Sequence, residues 1–564
     1  MKTVLSKLVD DLKDLEQGIT IHFPVEREVK MGVLAYSADN LEAHCLAGFS
    51  SCFSSYDICR WCHCQHSDLL DNIHDFDGNE MKKYWSVSEY DQFCDEIEAE
   101  QYDGSSDPEP VTEENLFRSS DAEEFISDDD ENADQEEHEE ECNDDEMDEA
   151  AGQERDEEAG EEMDEEAGEE MDEEADGNHE NPSRVRIRHG LRWRCPLNQL
   201  KSFHAVLGFP PDCMHDWLEG VCSQDFLAGI RILIRKGWFS LEDYNSKMKN
   251  VGYPSYEASD CPQDVPKKGK KLSGKACSLW VHVRNFPLII QSFVQDSEDE
   301  VLEFLLLLVD ITSRLTAQEF RFHEIDSLEE KVVELLDARK QIFESFPVIL
   351  GTPKPKHHYM CHYGRAIRLF GPPLSFWTAR FESKHRISKN IVESAKNFIN
   401  ISWTVSNRQQ FRLASVYYHG IYEVEQFRVP EKASYKKDLN QKSQFWSEVK
   451  EIMKEEDLVC SEIFVNGQHY HCGDLIVIKV LEGGEALKIG LIKTILVKDN
   501  EVCFVIKQYI AFRKPLGYFE SENIDAEFLV IKSSSLADNK PLIMRGTVTK
   551  FQFTLHHYIS FDHS

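Results

Sequence analysis

A long acidic segment divides the chain, and no packed core can run through it. Between Asp121 and Glu180 there are 34 Asp and Glu residues against a single Arg, and the octapeptide DEEAGEEM occurs at 156–163 and again at 164–171. A segment of this composition has too little apolar surface to offset its ordering entropy. We therefore predict that residues 93–183 are an intrinsically disordered, acidic low-complexity segment inserted between folded parts.

The acidic segment has two possible roles. It could bind basic protein partners such as histones, or it could be a solvated loop insertion, which is the commoner origin of simple repeats on a protein surface. The whole chain has a formal net charge of −44, and −33 of it lies in this segment, which leaves −11 on the other residues. The acidity of the whole chain therefore does not exclude a nucleic-acid partner.

Cysteine usage and hydropathy indicate a soluble protein in a reducing compartment. The chain has 16 Cys, and their one dense cluster is Cys59, Cys62 and Cys64. The N-terminus lacks the continuous apolar stretch of a signal peptide, and the longest apolar run, FLLLLV at 304–309, is too short to span a membrane. We predict a nuclear location, with the cytoplasm as the alternative, and no membrane partner.

Periodicity along the chain predicts a multidomain α+β protein. Helical patterns dominate the middle of the chain, whereas ITIHF, MGVLAYS and the C-terminal runs are strand-like. The predicted order is a partial core at 1–92 containing the CxxC motif, the disordered segment, a helical insertion at 184–355, a closing segment at 356–430, a linker helix at 431–454, and a small β-barrel at 455–564.

The predicted barrel is SH3-like or Tudor-like. It extends from VNGQHYHCGDLIVIKV to KQYIAFRKPLGYFE. Tyr470, Phe504 and Tyr518 could line a ligand groove, although aromatic residues on barrel strands more often belong to the core.

Two separated motifs could together bind a metal ion. Cys59 and Cys62 form a CxxC, the usual half-site for zinc, because thiolates at this spacing converge on one tetrahedral ion. The segment PKHHYMCHYGR supplies His357, His358 and His362, of which His362 with either of the other two could complete a Cys₂His₂ site. A local site would instead use His63, Cys64 and His66.

Three further motifs contain acidic side chains that could be catalytic. Asp39 follows the strand-like VLAYSA, Asp212 and His215 lie one helical turn apart in FPPDCMHDWLEGV, and Glu382 lies in PLSFWTARFESKH. Each has a simple structural explanation. Asp39 could form a turn, Asp212 could cap a helix, and Glu382 could pair with Arg386 four residues later.

Taken together and in this order, the motifs resemble the transposases of the CACTA (EnSpm) group of transposable elements. The resemblance is carried by SADNLEAHCLAGFSSCFSSYDICRWC, FPPDCMHDWLEGV and PKHHYMCHYGRAIRLFGPPLSFWTARFESKH, and it covers residues 1–430 apart from the acidic insertion. It implies an RNase H-like core, similar in layout to the Transib transposases and the vertebrate antigen-receptor recombinase.

The resemblance also implies roles for particular residues. Such DDE enzymes hold two Mg²⁺ ions with three carboxylates and cut DNA by two-metal catalysis, and their second Asp and closing Glu fall on Asp39 and Glu382. The structural zinc would be held by Cys59 and Cys62 with His362 and either His357 or His358. The spacings from 39 to 59 and from 362 to 382 are both 20 residues. Asp212 and His215 match a DxxH element whose role the sequence does not assign.

The sequence departs from this family at its start. The chain begins 38 residues before Asp39, and Asp10, Asp11 and Asp14 lie in a helical pattern, so we expect the first catalytic Asp to be missing. Two carboxylates cannot hold two metal ions as three do, so we expect a transposase-derived protein that has lost its activity. The alternative is a non-catalytic nucleic-acid-binding or protein-interaction protein that uses the acidic segment and the barrel.

DNA would be bound through its phosphates by basic side chains. Two basic stretches, 184–194 and 267–275, are candidates, together with five residues of the closing segment: Arg365, Arg368, Arg380, Lys384 and Arg386.

Overall fold

The computed structural model describes residues 2–22, 26–50, 57–71, 84–102, 190–396, 399–418, 427–430, 433–435, 457–522 and 528–560. The mixed α+β class is confirmed. The chain divides into two units, Met1–Cys94 with His189–Ser564, and Asp95–Arg188. Of the second unit, only the end of one helix lies within the described residues. Residues 93–102, at the start of the segment that is predicted to be disordered, belong to the helix Val87–Tyr102, so the predicted disorder is wrong for them. The rest of that segment, 103–183, lies outside the described residues.

The N-terminal part is a small set of helices with a two-stranded antiparallel sheet. The strand predicted for residues 31–37 is absent, because the backbone there hydrogen-bonds to Ser202 and Gly208 of the helical region. The Tyr36 amide donates to the Gly208 carbonyl at 2.8 Å, and the Tyr36 ring packs on Phe209. The elements are α1 (Lys2–Gln17), β1 (Ile19–Ile21), β2 (Arg27–Val29), α2 (Asn40–Ala47), α3 (Asp68–Asp71) and α4 (Val87–Tyr102).

A helical body follows and contains the main hydrophobic core. The nine-residue π-helix Met214–Cys222 continues directly into the first long helix, and Trp217 from it donates its indole N–H to Thr312 at 2.8 Å. Its helices are α5 (Ala205–Gly208), α6 (Ser223–Arg235), α7 (Leu241–Lys249), α8 (Ala276–Ile290), α9 (Glu300–Leu315), α10 (Phe322–Ser345), α11 (Pro347–Leu350), α12 (Pro355–Tyr359) and α13 (Tyr363–Phe370).

Helix α9 illustrates why these segments are helical and buried. Asp299 caps it by accepting from the Val301 and Leu302 amides, and apolar residues at three- and four-residue spacing then face the core. The same core includes Ile58, Trp61 and the thiols of the CxxC loop. The loop that precedes the acidic segment is therefore packed into the helical body.

A helical hairpin after α13 is largely exposed. It consists of α14 (Ala379–Ala395), which has no buried residue, and α15 (Ile401–Tyr418), in which Thr404 is the buried one. Trp403, Phe411 and Tyr418 are each more than half exposed. This hairpin presents an unusually large aromatic surface beside the basic residues of α14.

The C-terminal region contains a ten-stranded sheet that curls into a half-barrel, where the sequence predicts a small β-barrel, and a separate three-stranded sheet of β3, β6 and β7. The aromatic-groove interpretation is wrong for Tyr470 and Phe504, which are fully buried with ring centroids 4.9 Å apart, while Tyr518 is half-buried. The strands of this region are β3 (Phe427–Arg428), β4 (Ser434–Tyr435), β5 (Leu458–Cys460), β6 (Glu462–Val465), β7 (Gln468–His471), β8 (Leu475–Leu481), β9 (Ala486–Lys498), β10 (Glu501–Arg513), β11 (Phe519–Glu522), β12 (Phe528–Lys532), β13 (Asp538–Leu542), β14 (Arg545–Thr547) and β15 (Lys550–Phe553).

The half-barrel packs on the helical body. Arg545 donates to the Asn285 side chain on α8 and to the Val251 carbonyl, both at 3.0 Å, and the Tyr558 amide donates to the Ser313 carbonyl at 2.9 Å. Within the predicted linker helix 431–454, residues 434–435 form β4 and pair with β5, and the others except 433 lie outside the described residues. None of the described helices combines the length and apolarity needed to cross a bilayer.

Candidate metal centre and the neighbouring carboxylates

The CxxC motif lies in a loop that closes on itself. Asp57 and Gln65 form a single antiparallel bridge, and the Ile58 amide donates to the Cys64 carbonyl at 2.8 Å. The Tyr359 hydroxyl, from the histidine-rich helix, donates to the Ile58 carbonyl at 2.7 Å. These contacts hold the loop against helix α12.

The two histidines come from consecutive short helices. Pro355 at the start of α12 fixes the entry of the chain, and His358 lies in the last turn, whereas His362 ends the following 3₁₀ turn Met360–His362. This arrangement directs both Nε2 atoms at the CxxC loop, and they lie 3.1 Å apart. Both rings are almost completely buried.

Four donor atoms converge on one point. The Cys59 Sγ lies 3.2 Å from the His362 Nε2, and the Cys62 Sγ lies 3.2 Å from the His358 Nε2 and 3.7 Å from the His362 Nε2. Donors around a tetrahedral zinc ion, at about 2.3 Å for sulfur and about 2.0 Å for nitrogen, are about 3.3–3.8 Å apart. The buried Cys₂His₂ group therefore has the dimensions of a metal site.

The electrostatics of the group favour a thiolate. Burial by itself raises the pKa of Cys59, but the hydrogen bond from Cys62 and the nearby imidazoles of His362 and His358 hold it well below its ordinary value. The pKa of His358 is raised by the two thiols, although burial opposes that shift. A divalent ion would supply the positive charge that this buried set requires.

The other predicted ligands have different partners. His357, the alternative to His358, points away from the thiols, and its Nε2 lies 3.2 Å from the Asp225 Oδ2 on α6. His63 lies between two carboxylates, 3.3 Å from Asp57 and 3.3 Å from Glu89. Cys64 and His66 also lie outside the converging group, so the described residues form the long-range site and not the local one.

Asp39 is the N-cap of helix α2. Its carboxylate accepts from the Glu42 amide at 2.8 Å, so Asp39 caps a helix, where the sequence predicts a turn or a catalytic carboxylate. The next residue, Asn40, donates from its side chain to Asp216 and accepts from Arg60 at 2.8 Å. Burial raises the pKa of Asp216 to about 7. Asp39 thus begins a helix that is tied to the π-helix.

The DxxH element connects the π-helix to Glu382. The His215 Nδ1–H donates to the Asp212 Oδ2 at 2.5 Å, and its Nε2 lies 3.2 Å from the Glu382 Oε1. Asp212 also accepts from the Thr378 amide at 3.0 Å and from its hydroxyl at 2.6 Å. Because Thr378 immediately precedes α14, Asp212 fixes the start of the helix that holds Glu382.

The series of contacts from Asp212 through His215 to Glu382 therefore positions α14, and its central group, the His215 imidazole, carries a positive charge. Burial alone would lower the pKa of His215, but the hydrogen bond and charge of Asp212, with the charge of Glu382, raise it to about 9. The imidazole is protonated at neutral pH and is shared by two carboxylates. Among the described residues no ion pair joins Glu382 to Arg386, and Asp39 and Glu382 belong to no shared donor group.

Replacing His215 by Gln should destabilise the protein in a pH-dependent way. Since the pKa is raised from 6.5 to about 9 on folding, the stabilisation is complete below pH 6.5 and is lost as the pH rises through about 9. After allowance for the 44% exposure of the Glu382 side chain, we expect a deficit on the order of 2 kcal/mol near pH 6. Urea unfolding of both proteins at pH 6 and above pH 9 measures it, and a deficit that is equal at both pH values would contradict the assignment.

The predicted phosphate-binding residues fall into two groups. Arg368 is paired with Asp326 and Glu329, with contacts of 2.5 Å to each, and the Arg365 guanidinium lies over the Tyr84 ring. Arg380, Lys384 and Arg386 are exposed on α14. Of these five residues, the three on α14 are therefore available to a polyanion, and the lysines of the predicted basic stretch 267–275 are exposed as well.

Several residues that hold this region together were not predicted from the sequence. They are Asn40, Arg60, Asp225, Arg339 and Thr378, all of which are largely buried and hydrogen-bonded. Thr378 had a local signal, since it follows two prolines and precedes a helical pattern. The others had none, because their partners are distant in sequence. No family model matches the chain, and no curated protein matches it.

Proposed function

We propose that this protein is a non-catalytic, transposase-derived DNA-binding protein whose folded core is held by a structural zinc ion. The observation that carries the proposal is the Cys₂His₂ group, which joins the CxxC loop to histidines 296 to 303 residues away. Its members are residues that the resemblance to CACTA transposases assigns to zinc, and they agree in order and spacing. The ancestral RNase H-like core and the disordered insertion are part of this proposal.

Zinc is the metal that the donor chemistry supports. Two thiolates and two imidazoles in a closed, buried, four-donor set suit a structural zinc site, whereas catalytic zinc sites keep one position open to water. Each of the four residues is less than 5% exposed. The role of this ion would be to fasten the Asp39 segment to the segment that leads into Glu382.

The arrangement of the carboxylates supports loss of catalysis. Two-metal DNA cleavage needs carboxylates that face a shared pair of Mg²⁺ ions. Here the Asp39 carboxylate accepts the amide hydrogen bond of a helix cap, and the Glu382 carboxylate lies against a protonated imidazole. To bind a metal ion, the Glu382 carboxylate would have to break its contact with the His215 imidazole. The role of Glu382 is then structural, since its contact with His215 holds α14 on the body.

Helix α14 is the best supported DNA-binding surface. Arg380, Lys384 and Arg386 are exposed, and the following helix presents Trp403 and Phe411 nearby in sequence. Cationic side chains bind the phosphate backbone, and exposed aromatic rings are suited to stacking on unpaired bases. The SH3-like or Tudor-like half-barrel and the acidic segment would supply protein contacts in the alternative function.

Replacing Arg380, Lys384 and Arg386 together by Ala should weaken binding to DNA of arbitrary sequence by roughly tenfold or more and lower the salt slope of the affinity by about 2–3. Fluorescence anisotropy of a labelled duplex, measured over a range of NaCl concentrations, tests this. The matched control is Arg368→Ala, which removes a guanidinium already paired with two carboxylates and should change neither quantity.

Three outcomes would overturn the proposal. The first is a wild-type protein that does not bind the duplex, and the second is an equal loss of affinity in the control and the triple variant. The third concerns catalysis. If the wild type nicks a supercoiled plasmid in the presence of Mg²⁺ and Glu382→Gln abolishes the nicking, then the protein is an active enzyme.

A further inference from the structure

A second group of potential ligands lies on the hairpin of β6 and β7, which with β3 forms the separate three-stranded sheet of the C-terminal region. Asn466 and Gly467 form its two-residue turn, with φ values of +48° and +78°, as a type I′ turn requires. The register pairs Glu462 with His471 and Phe464 with His469. Because side chains alternate along a strand, these four lie on the same face of the hairpin.

Three donors from this face approach one another. The Glu462 Oε2 lies 3.2 Å from the His469 Nε2 and 3.6 Å from the His471 Nε2, and the ring centroids of the two histidines are 3.9 Å apart. Oxygen and nitrogen ligands of a tetrahedral zinc ion are about 3.3–3.5 Å apart. The carboxylate oxygen thus lies at ligand spacing from both Nε2 atoms, and one donor atom of each of the three residues lies within 4.8 Å of the other two.

The surroundings hold these ligands in place. The Phe464 ring stacks on His469 at 3.9 Å and 10°, and the Arg428 guanidinium lies over Phe464 at 4.8 Å. The Asp474 carboxylate lies 3.5 Å from the His471 Nδ1 and accepts from the His471 amide at 2.7 Å. A carboxylate on the remote ring nitrogen is the usual means of orienting a metal-binding histidine.

We propose that Glu462, His469 and His471 form a second metal site, which takes a divalent first-row transition ion such as Zn²⁺. Two imidazoles and one carboxylate suit zinc and its neighbours in the series, and three protein ligands leave at least one coordination position open. The side chains are 27–40% exposed, so the ion would exchange with solvent, in contrast to the buried Cys₂His₂ group. This site is independent of the proposed transposase ancestry.

The test uses the purified full chain and Zn²⁺ itself. After a brief treatment with a chelator, the wild type should retain the ion of the buried group and then take up one further Zn²⁺ per chain in isothermal titration calorimetry. The variant His469→Gln/His471→Gln should lose this uptake, and Asp474→Asn should weaken it by about tenfold. The matched control is His385→Gln, an exposed histidine on α14 that should leave the uptake unchanged.

The outcomes separate the two sites. Cys62→Ser should remove the buried ion, and this result tests the buried group alone. Uptake of Zn²⁺ at the hairpin is tested by comparing the wild type with the double histidine variant. A wild type that takes up no further Zn²⁺, or an uptake that persists in the double variant, would overturn the hairpin site. Circular dichroism checks that the variants keep their β structure, which we expect because the replaced rings are partly exposed.

Discussion

Replacing His362 by Ala should remove the ion from the buried Cys₂His₂ group and lower the free energy of unfolding by several kcal/mol. The apparent binding energy of structural zinc is about 10–16 kcal/mol in small zinc domains, which is as large as the net stability of a typical domain, about 5–15 kcal/mol. The ion would also close a loop of about 300 residues in the unfolded chain. Atomic emission for metal content and thermal unfolding by circular dichroism measure the two effects.

The control for this experiment is Cys64→Ser. Cys64 is a buried thiol of the same loop, but it lies outside the group of converging donors. This variant should keep the metal content of the wild type and lose much less stability. Metal content that is unchanged in His362→Ala would contradict the long-range site, and metal loss in Cys64→Ser would favour a local one.

Replacing Asp225 by Asn should destabilise the protein by about 3–5 kcal/mol, because it leaves a buried charge without its partner. Arg339 donates from its Nε to the Asp225 carboxylate at 3.0 Å, and from its Nη2 to the carbonyls of Leu350 and Gly351. Both charged side chains are less than 5% exposed. The same carboxylate accepts from His357, so one residue anchors α10 and α12 to α6.

Urea unfolding measures this loss of stability, and its dependence on pH shows whether the Asp225 carboxylate is the source. The charge of Arg339 and the hydrogen bond of His357 outweigh burial and keep the pKa of Asp225 below its ordinary value of 3.8. The stabilisation is therefore present above about pH 4 and is lost as the pH falls through the lowered pKa. Asp264→Asn, in an exposed pair with Lys249, should cost about 1 kcal/mol or less. Equal costs in the two variants would contradict a special role for the buried pair.

Local signals in the sequence predicted the parts of the site that are made locally. The spacing of Cys59 and Cys62 predicted their convergence. Spacing left both His357 and His358 open, because residues four apart share a helical face and residues five apart can still reach one ion when the segment between them is not a continuous helix. Their distinction depends on Asp225, which accepts from His357 and is 132 residues away.

Glu382 shows the same limit for a charged residue. The sequence allowed Glu382 either an ion pair with Arg386 or a place in a catalytic triad, whereas its observed partner is His215. The DxxH motif was identified, but nothing near it in the chain indicates that Asp212 accepts from Thr378 at the start of α14. In the same way, residues 31–37 have a strand-like composition, but they pair with no strand among the described residues. Partners supplied by the tertiary fold decided all three cases.

The long loop that the proposed zinc ion would close also determines how the chain tolerates changes in length. The Cys62–His358 contact encloses 296 residues, and the acidic segment at 93–183 lies within them. For a segment of the predicted kind, closure entropy depends only on the logarithm of loop length, so removing it would change the cost of closure by roughly 0.3 kcal/mol. Gains or losses of the DEEAGEEM octapeptide by replication slippage should therefore be nearly neutral for folding, and we expect natural length variation to accumulate there.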